Sequence, residues 1–177
     1  MGFKTIVLTI FYRTFRSKRF PSRLCVANRP TLLPKDFSIS DRLYIAFRRE
    51  KTNTANRLVP PWRNIPSLQT IRFPDSSCNW SRFSRPSDVW FRENGASGDG
   101  CFAIRVEHAR FESKATVAHD PLQSPVENYS HSEIRELQEG ESIYAVPPKN
   151  RKVMNRTERQ KYRAHLREHM DILIYPV

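Results

Sequence analysis

The sequence predicts an α+β domain in which one long C-terminal helix packs on a mostly antiparallel sheet, with long Pro-rich loops between the elements. The clearest strand signal is the alternation of Phe102, Ile104 and Val106 with smaller or charged residues, because the side chains of a strand point alternately to its two faces. The clearest helix signal spans 155–170, which lacks Gly and Pro and repeats an apolar residue every four positions. The chain also holds 13 prolines against 5 glycines, which favours extended connections.

Length and charge divide the chain into two parts. A chain of 177 residues is long enough to bury one core without disulfides. Its net charge is +12, but residues 1–35 hold eight basic residues and no acidic one, so that residues 36–177 carry a net charge of only +4. We therefore expect a basic, disordered extension over 1–35 and a single domain over 36–177.

The composition of the extension leaves the compartment open. No apolar run approaches the ~18–20 residues that a membrane-spanning helix needs, so we expect no membrane span and a cytoplasmic protein. An organellar transit peptide over 1–35 is the alternative, because that segment is basic, free of acids and rich in Ser and Thr.

The first half of the predicted domain contains one strand and a long coil. Within the segment 40–47, residues 43–47 are apolar at successive positions, which predicts a central strand covered on both faces. Five prolines between residues 60 and 86 predict coil without a central strand. Residues 88–111 are interpreted as a β-hairpin around a loop that contains Gly95, Gly98 and Gly100.

The second half carries the weaker predictions and then the strongest one. Residues 113–126 are expected to form a loop, and residues 142–146 a short strand. Ser130 and Glu133 match a capping box, which predicts a short helix; a strand that starts at His131 is the alternative. The helix over 155–170 begins with Asn155 and Glu158 as a capping pair, and a last strand over 172–175 completes the sheet.

One functional hypothesis is a nucleic-acid or polyanion binding module. The arginines of the C-terminal helix recur every three or four residues, which places them on one stripe that can neutralise phosphates. Upstream, Trp80 lies in an aromatic and arginine-rich segment over 62–92 that is typical of base-stacking surfaces. The alternatives are a solvated helix face and aromatic residues that anchor a loop to the core. The stripe consists of Arg156, Arg159, Arg163 and Arg167, and it includes Lys152 if the helix extends back to that residue.

A second hypothesis is a metal-independent hydrolase or transferase that acts on a phosphate-bearing substrate. His131 would act as general base or acid beside Glu133, and the loop that holds His119 and Asp120 could supply a further carboxylate. The anion would be bound by Arg82 or Arg85. A histidine on the surface next to a helix cap is the alternative. A third hypothesis, a protein-binding accessory factor, leaves the arginines as solubilising charge.

The possible metal motifs are incomplete, so the sequence analysis assigns neither a metal nor a cofactor. Residues 165–169 match H-x-x-E-H, but Asp171 is the only acid that follows and two nearby arginines would repel a cation. Residues 131–133 match H-x-E, but no cysteine follows Cys101 to complete a deaminase signature. The three cysteines form no close pair, which excludes a Cys-x-x-Cys site.

Overall fold

The structure, a computed structural model, describes residues 29–47, 71–90, 100–123 and 127–174. Its strands are β1 (Arg42–Phe47), β2 (Asp75–Trp80), β3 (Gly100–Arg105), β4 (Ala115–His119), β5 (His131–Glu136) and β6 (Asp171–Ile174). Its α-helices are α1 (Pro86–Trp90), α2 (Val106–Ala109) and α3 (Arg156–Glu168), and short 3-10 turns cover Pro34–Asp36 and Phe111–Ser113. The predicted extension over 1–35 and the glycine-rich loop before β3 lie largely outside the described residues.

The described strands form one sheet in the order β4-β5-β2-β1-β3-β6, and each neighbouring pair is antiparallel. Together with α3 this confirms the predicted α+β domain with an antiparallel sheet and a C-terminal helix. In the part of the chain that the structure describes, no helix is long and apolar enough to cross a membrane.

One face of the sheet carries the main hydrophobic core. Leu43, Ile45 and Phe47 point to this face from β1, and Phe102 and Ile104 do so from β3, in line with the two-residue period of a strand. The sequence analysis correctly placed β1 in the centre of the sheet. It was wrong to expect both faces of β1 to be covered, because the side chains between these three are half-buried or exposed.

Helix α3 closes this core, as the sequence predicted. The Asn155 side chain accepts a hydrogen bond from the Glu158 amide at 3.0 Å, and the Glu158 carboxylate accepts one from the Asn155 amide at 2.8 Å. This capping box satisfies donors that the first helical turn leaves unpaired. Tyr162 and Leu166 are buried in the core, so the predicted apolar stripe faces the sheet. The last strand, β6, follows directly and pairs with β3.

The prediction that the Pro-rich segment holds no central strand is wrong. Strand β2 lies between β5 and β1, and its six residues fit between Pro74 and Pro86. Its core-facing residues are Ser76, Cys78 and Trp80, of which only the last is large and apolar. The sequence of β2 therefore lacks the alternation of apolar and polar residues that would predict a strand.

The prediction of a short helix after Ser130 is also wrong, and the alternative, a strand from His131, is confirmed. Strand β5 pairs with β2 on one side and β4 on the other, and all six of its residues are buried. A capping box is a local signal of about 1 kcal/mol, and ladder hydrogen bonds to two neighbouring strands outweigh it.

Three further element predictions need correction. The first arm of the expected hairpin is helix α1, which begins at Pro86, where proline is well tolerated. The expected loop over 113–126 contains strand β4, all of whose residues are buried. Residues 142–146 form a turn in which the Ala145 amide donates to the Ser142 carbonyl at 2.9 Å, and Val146 is 58% exposed, so this segment has no place in the sheet.

Candidate functional site

The face of the sheet opposite the main core holds a polar cleft of about 430 Å³. Because side chains alternate along a strand, β5 directs Ser132, Ile134 and Glu136 to the core side and His131, Glu133 and Arg135 to this second face. Cross-strand pairing sets His131 beside Asn79 of β2. The polar residues that line the cleft are Arg72, Asp75, Ser76, Ser77, Asn79, Asn128 and His131, and Tyr44 and Val89 are among the less polar ones.

The His131 ring is fixed in one orientation by Asp120. Its Nδ1 lies 2.6 Å from the Asp120 carbonyl oxygen and 3.6 Å from the carboxylate Oδ2 of the same residue. A carbonyl oxygen can only accept, so Nδ1 carries the proton and, in the neutral ring, Nε2 carries the lone pair. His131 itself is only 7% exposed, which keeps the ring from rotating freely.

A charge network surrounds this histidine. Arg135 lies next to Glu133 on the same strand face, with Nε donating to Oε2 at 2.8 Å and Nη2 at 2.7 Å from the same oxygen. Arg135 also donates to the Pro147 carbonyl at 3.0 Å, and its Nη2 lies 3.5 Å from the Asp120 carboxylate. Lys149 Nζ is 2.6 Å from Asp120 Oδ2. Two carboxylates thus face two cations, and the network is close to neutral.

Amide side chains tie the loop before β5 to β2. The Asn128 side-chain nitrogen donates to Asn79 Oδ1 at 2.8 Å, and its oxygen accepts from the amide and the hydroxyl of Ser130 at 3.1 and 2.7 Å. These bonds hold the chain that leads into His131. At the rim of the cleft, Arg72 is exposed and supplies a positive charge to the opening.

The structure brings together some of the residues predicted for an active site and separates others. His131, Glu133 and Asp120 each offer a possible ligand atom within 4.8 Å of one another. Arg82 and Arg85 do not line the cleft. The Arg82 guanidinium lies 5.5 Å from the centroids of the Trp80 and Phe83 rings, and the Arg85 amide donates to Asp88 at 2.6 Å.

Three cationic residues near the cleft were not predicted as active-site residues from the sequence. Arg135 lies two residues after Glu133 on a strand, a spacing that would have placed both on one face had the strand been assigned. Arg72 comes from the Pro-rich segment and Lys149 from the turn after β5. Neither segment has a periodic pattern of apolar residues from which the direction of a side chain could be predicted.

The predicted nucleic-acid surface is partly internal. Arg159 binds the Glu136 carboxylate, and Arg163 donates to the Ile71 carbonyl at 2.8 Å while lying over the Phe73 ring. Arg156 is exposed and Arg167 is half-buried. Trp80 is fully buried and stacks on Phe37 at 3.8 Å, so the described fold leaves it no free face for a base. The role assigned to Trp80 therefore needs correction to a core residue, whereas the other positions remain predictions.

His119, which the sequence placed near the site, has a structural role. Its Nδ1 accepts from the Leu32 amide at 2.9 Å and its Nε2 donates to the Tyr129 carbonyl at 2.6 Å. Both ring nitrogens are occupied. Burial lowers the pKa of His119 below its usual value of 6.5, so the ring is neutral at pH 7.

Comparisons of the chain with protein-family models, with curated proteins and with solved structures find no match. The assignment of a function to the cleft therefore depends on its geometry and charges.

Proposed function

We propose that the protein is a metal-independent hydrolase or transferase that acts on a small phosphate-bearing substrate, with His131 as general base. The observation that carries this proposal is the bond from His131 Nδ1 to the Asp120 carbonyl at 2.6 Å in a residue that lines the cleft. This bond fixes the tautomer in which Nε2 is free to take a proton.

The size and charge of the cleft support a small anionic substrate. A volume of about 430 Å³ falls within the range of ~300–1,000 Å³ that is usual for small-molecule sites. Arg72 at the rim is the candidate anion-binding residue, since a guanidinium can donate two parallel hydrogen bonds to a phosphate. Asn79 and Ser77 add neutral hydrogen-bonding groups beside it.

The charges around His131 favour chemistry without a metal ion. Asp120 and Glu133 are the carboxylates nearest to it, but Lys149 and Arg135 already neutralise them at 2.6 and 2.7 Å. A divalent cation in that position would lie next to two positive side chains, at a considerable electrostatic cost.

In the proposed reaction His131 Nε2 removes a proton from water, or from an acceptor hydroxyl in the transferase case, as the oxygen attacks phosphorus. The bond from phosphorus to the leaving oxygen breaks, and the imidazolium then gives its proton to that oxygen. Asp120 Oδ2, 3.6 Å from Nδ1, stabilises the imidazolium between these two proton transfers.

The test compares two substitutions of His131 that differ in the nitrogen they retain. His131→Asn keeps a donor near the position of Nδ1 for the Asp120 carbonyl and removes Nε2, so we expect a thermal midpoint close to the wild type and a loss of turnover of ~100-fold or more. Turnover of phosphomonoesters, phosphodiesters and nucleotides would be followed by ³¹P NMR. Lys152→Ala, an exposed position outside the cleft lining, is the control and should leave turnover unchanged.

Retained turnover in His131→Asn would overturn the assignment of the base. An independent measurement is the tautomer of His131 from long-range ¹⁵N NMR of the imidazole, which needs no substrate. We expect the proton on Nδ1; a proton on Nε2 would contradict the proposal even if turnover were present. Arg72→Ala should weaken substrate binding more than it changes the chemical step.

A further inference from the structure

Three of the five histidines of the chain meet in a second place, away from the cleft. His108 comes from α2, and His165 and His169 come from the last turn and the C-terminal end of α3. Each offers one ring nitrogen, and these nitrogens lie within 4.8 Å of one another. The rings of His108 and His169 are 4.1 Å apart, and those of His165 and His169 are 4.4 Å apart.

The ring nitrogens of this cluster are available as ligands. His169 Nδ1 lies 2.9 Å from the His165 carbonyl, to which it donates, so Nε2 carries the lone pair of the neutral ring. His165 Nε2 is buried and finds no hydrogen-bond partner among the described residues. Phe111 stacks on the His165 ring at 3.8 Å and holds its plane. A buried ring nitrogen without a hydrogen-bond partner is costly unless a further group binds it.

Burial and neighbouring rings favour the neutral form of two of the three imidazoles. Burial is the largest cause that lowers the pKa of His108 and of His165, and the neighbouring imidazoles lower both further. The neutral imidazole is the form that binds metals.

Several negative groups surround the cluster. Glu107 Oε1 lies 3.6 Å from His108 Nε2, and the carbonyl end of α3 adds partial negative charge. Asp171 acts on His108 in the same sense. Arg105 is one opposing cation, and it is itself paired with Glu107 at 3.2 Å. Arg163 donates to the Ile71 carbonyl at 2.8 Å, and Arg167 adds a positive charge in the last turn of α3.

We propose that His108, His165 and His169 form a binding site for a divalent transition-metal ion of the zinc class. Three imidazole ligands with a fourth position open to water or to Glu107 are a usual set for Zn²⁺. The nitrogens must approach one another to reach metal distances of about 2.0–2.1 Å. Since His169 is exposed, its side chain can make that adjustment.

The proposed site uses the two histidines of the H-x-x-E-H motif, but its third ligand differs from that of an inverted zinc peptidase. The two histidines four residues apart share a helix face, as the spacing requires, but the third ligand precedes them in α2 rather than following them. The cluster lies with α3 on the side of the sheet that carries the main core, whereas the His131 cleft opens on the other face. The metal site is therefore independent of the proposed reaction.

The test is a titration of the full chain with Zn²⁺ by calorimetry and with Co²⁺ by visible absorption, at about pH 7.5. We expect one equivalent to bind, with a tetrahedral Co²⁺ spectrum. His169→Ala should weaken binding by ~10-fold or more, and since this side chain is exposed the variant should fold. Glu168→Gln, exposed on the same helical turn, is the matched control and should bind as the wild type does.

Three results would overturn the proposal. The first is no binding by the wild-type chain at metal concentrations up to about 1 mM, which corresponds to a free energy of only about −4 kcal/mol. The second is equal affinity for His169→Ala and Glu168→Gln. The third is Zn²⁺ binding that survives His169→Ala and is lost in His131→Asn, because the ion would then belong to the cleft.

Discussion

The ion pair between Glu136 and Arg159 gives the strongest test of how α3 is held to the sheet. The Glu136 side chain has no exposed surface, although it carries a charge. Arg159 Nε donates to Oε1 at 2.6 Å and Nη2 donates to Oε2 at 3.1 Å. The amides of Val153 and Met154 also donate to Oε2, at 2.6 and 2.8 Å. One carboxylate thus fixes both the helix and the chain that leads into it.

We expect Arg159→Ala to be strongly destabilising, because it leaves a buried carboxylate without its cation. Removing one partner of a buried ion pair costs ~3–5 kcal/mol. Two backbone amides still bind Glu136 in the variant, so the loss should lie near the lower end, at ~3 kcal/mol. For a chain of this length that corresponds to a fall in thermal midpoint of roughly 6–12 °C.

Urea unfolding and thermal unfolding would measure this loss. Arg156→Ala, an exposed arginine at the start of the same helix, is the control and should change the free energy of unfolding by less than ~0.5 kcal/mol. Adding Glu136→Gln to Arg159→Ala should recover part of the loss, since no buried charge then remains. If Arg159→Ala and Arg156→Ala had equal effects, the pair would not anchor the helix.

Three further predictions follow from burial, titration and charge. Gly100→Ala should destabilise by ~1–3 kcal/mol in urea unfolding, because its Cβ would lie 2.4 Å from the Phe47 ring and 2.8 Å from the Ile174 carbonyl oxygen; a neutral effect would contradict the close packing there. The pKa of His119 is lower in the folded state, so the unfolded chain binds more protons and the free energy of unfolding should fall as the pH drops below 6.5. Urea midpoints at about pH 7.5 and 5.5 measure this change, and an equal or higher midpoint at the lower pH would refute the predicted direction. If α3 binds nucleic acid mainly through Arg156 and Arg167, a plot of the logarithm of the binding constant against the logarithm of the salt concentration should have a slope no steeper than about −2. A slope near −4 would mean that Arg159 and Arg163 leave their internal partners.

The sequence predicted those elements whose buried positions are occupied by apolar residues at the period of a helix or a strand. Helix α3 combines a capping box with an apolar residue every four positions, and β3 alternates apolar and smaller side chains, so both were predicted. Strand β2 was missed, and β5 was predicted only as the alternative to a short helix, because both strands bury polar side chains that break the hydrophobic period. Their place in the sheet is decided by pairing with strands that are distant in sequence, and no local signal reports that pairing.

The candidate site shows the same limit. Asp120, His131 and Glu133 could be nominated together because they are close in sequence and of the right chemical type. Arg82 and Arg85 were chosen because the expected hairpin arm could bring them near the loops that hold the histidines, but neither residue lines the cleft. Arg72, six residues before Cys78, is the residue that reaches the opening. Which of several arginines faces a site depends on strand register, which the sequence alone did not fix.

Strand β5 carries ionic groups on both of its faces. Glu136 binds Arg159 on the core side, and Glu133 binds Arg135 on the cleft side. A register slip of one residue would exchange the faces and leave buried charges without partners on both sides. The ion pairs therefore specify the register of a strand that has only one large apolar side chain, Ile134.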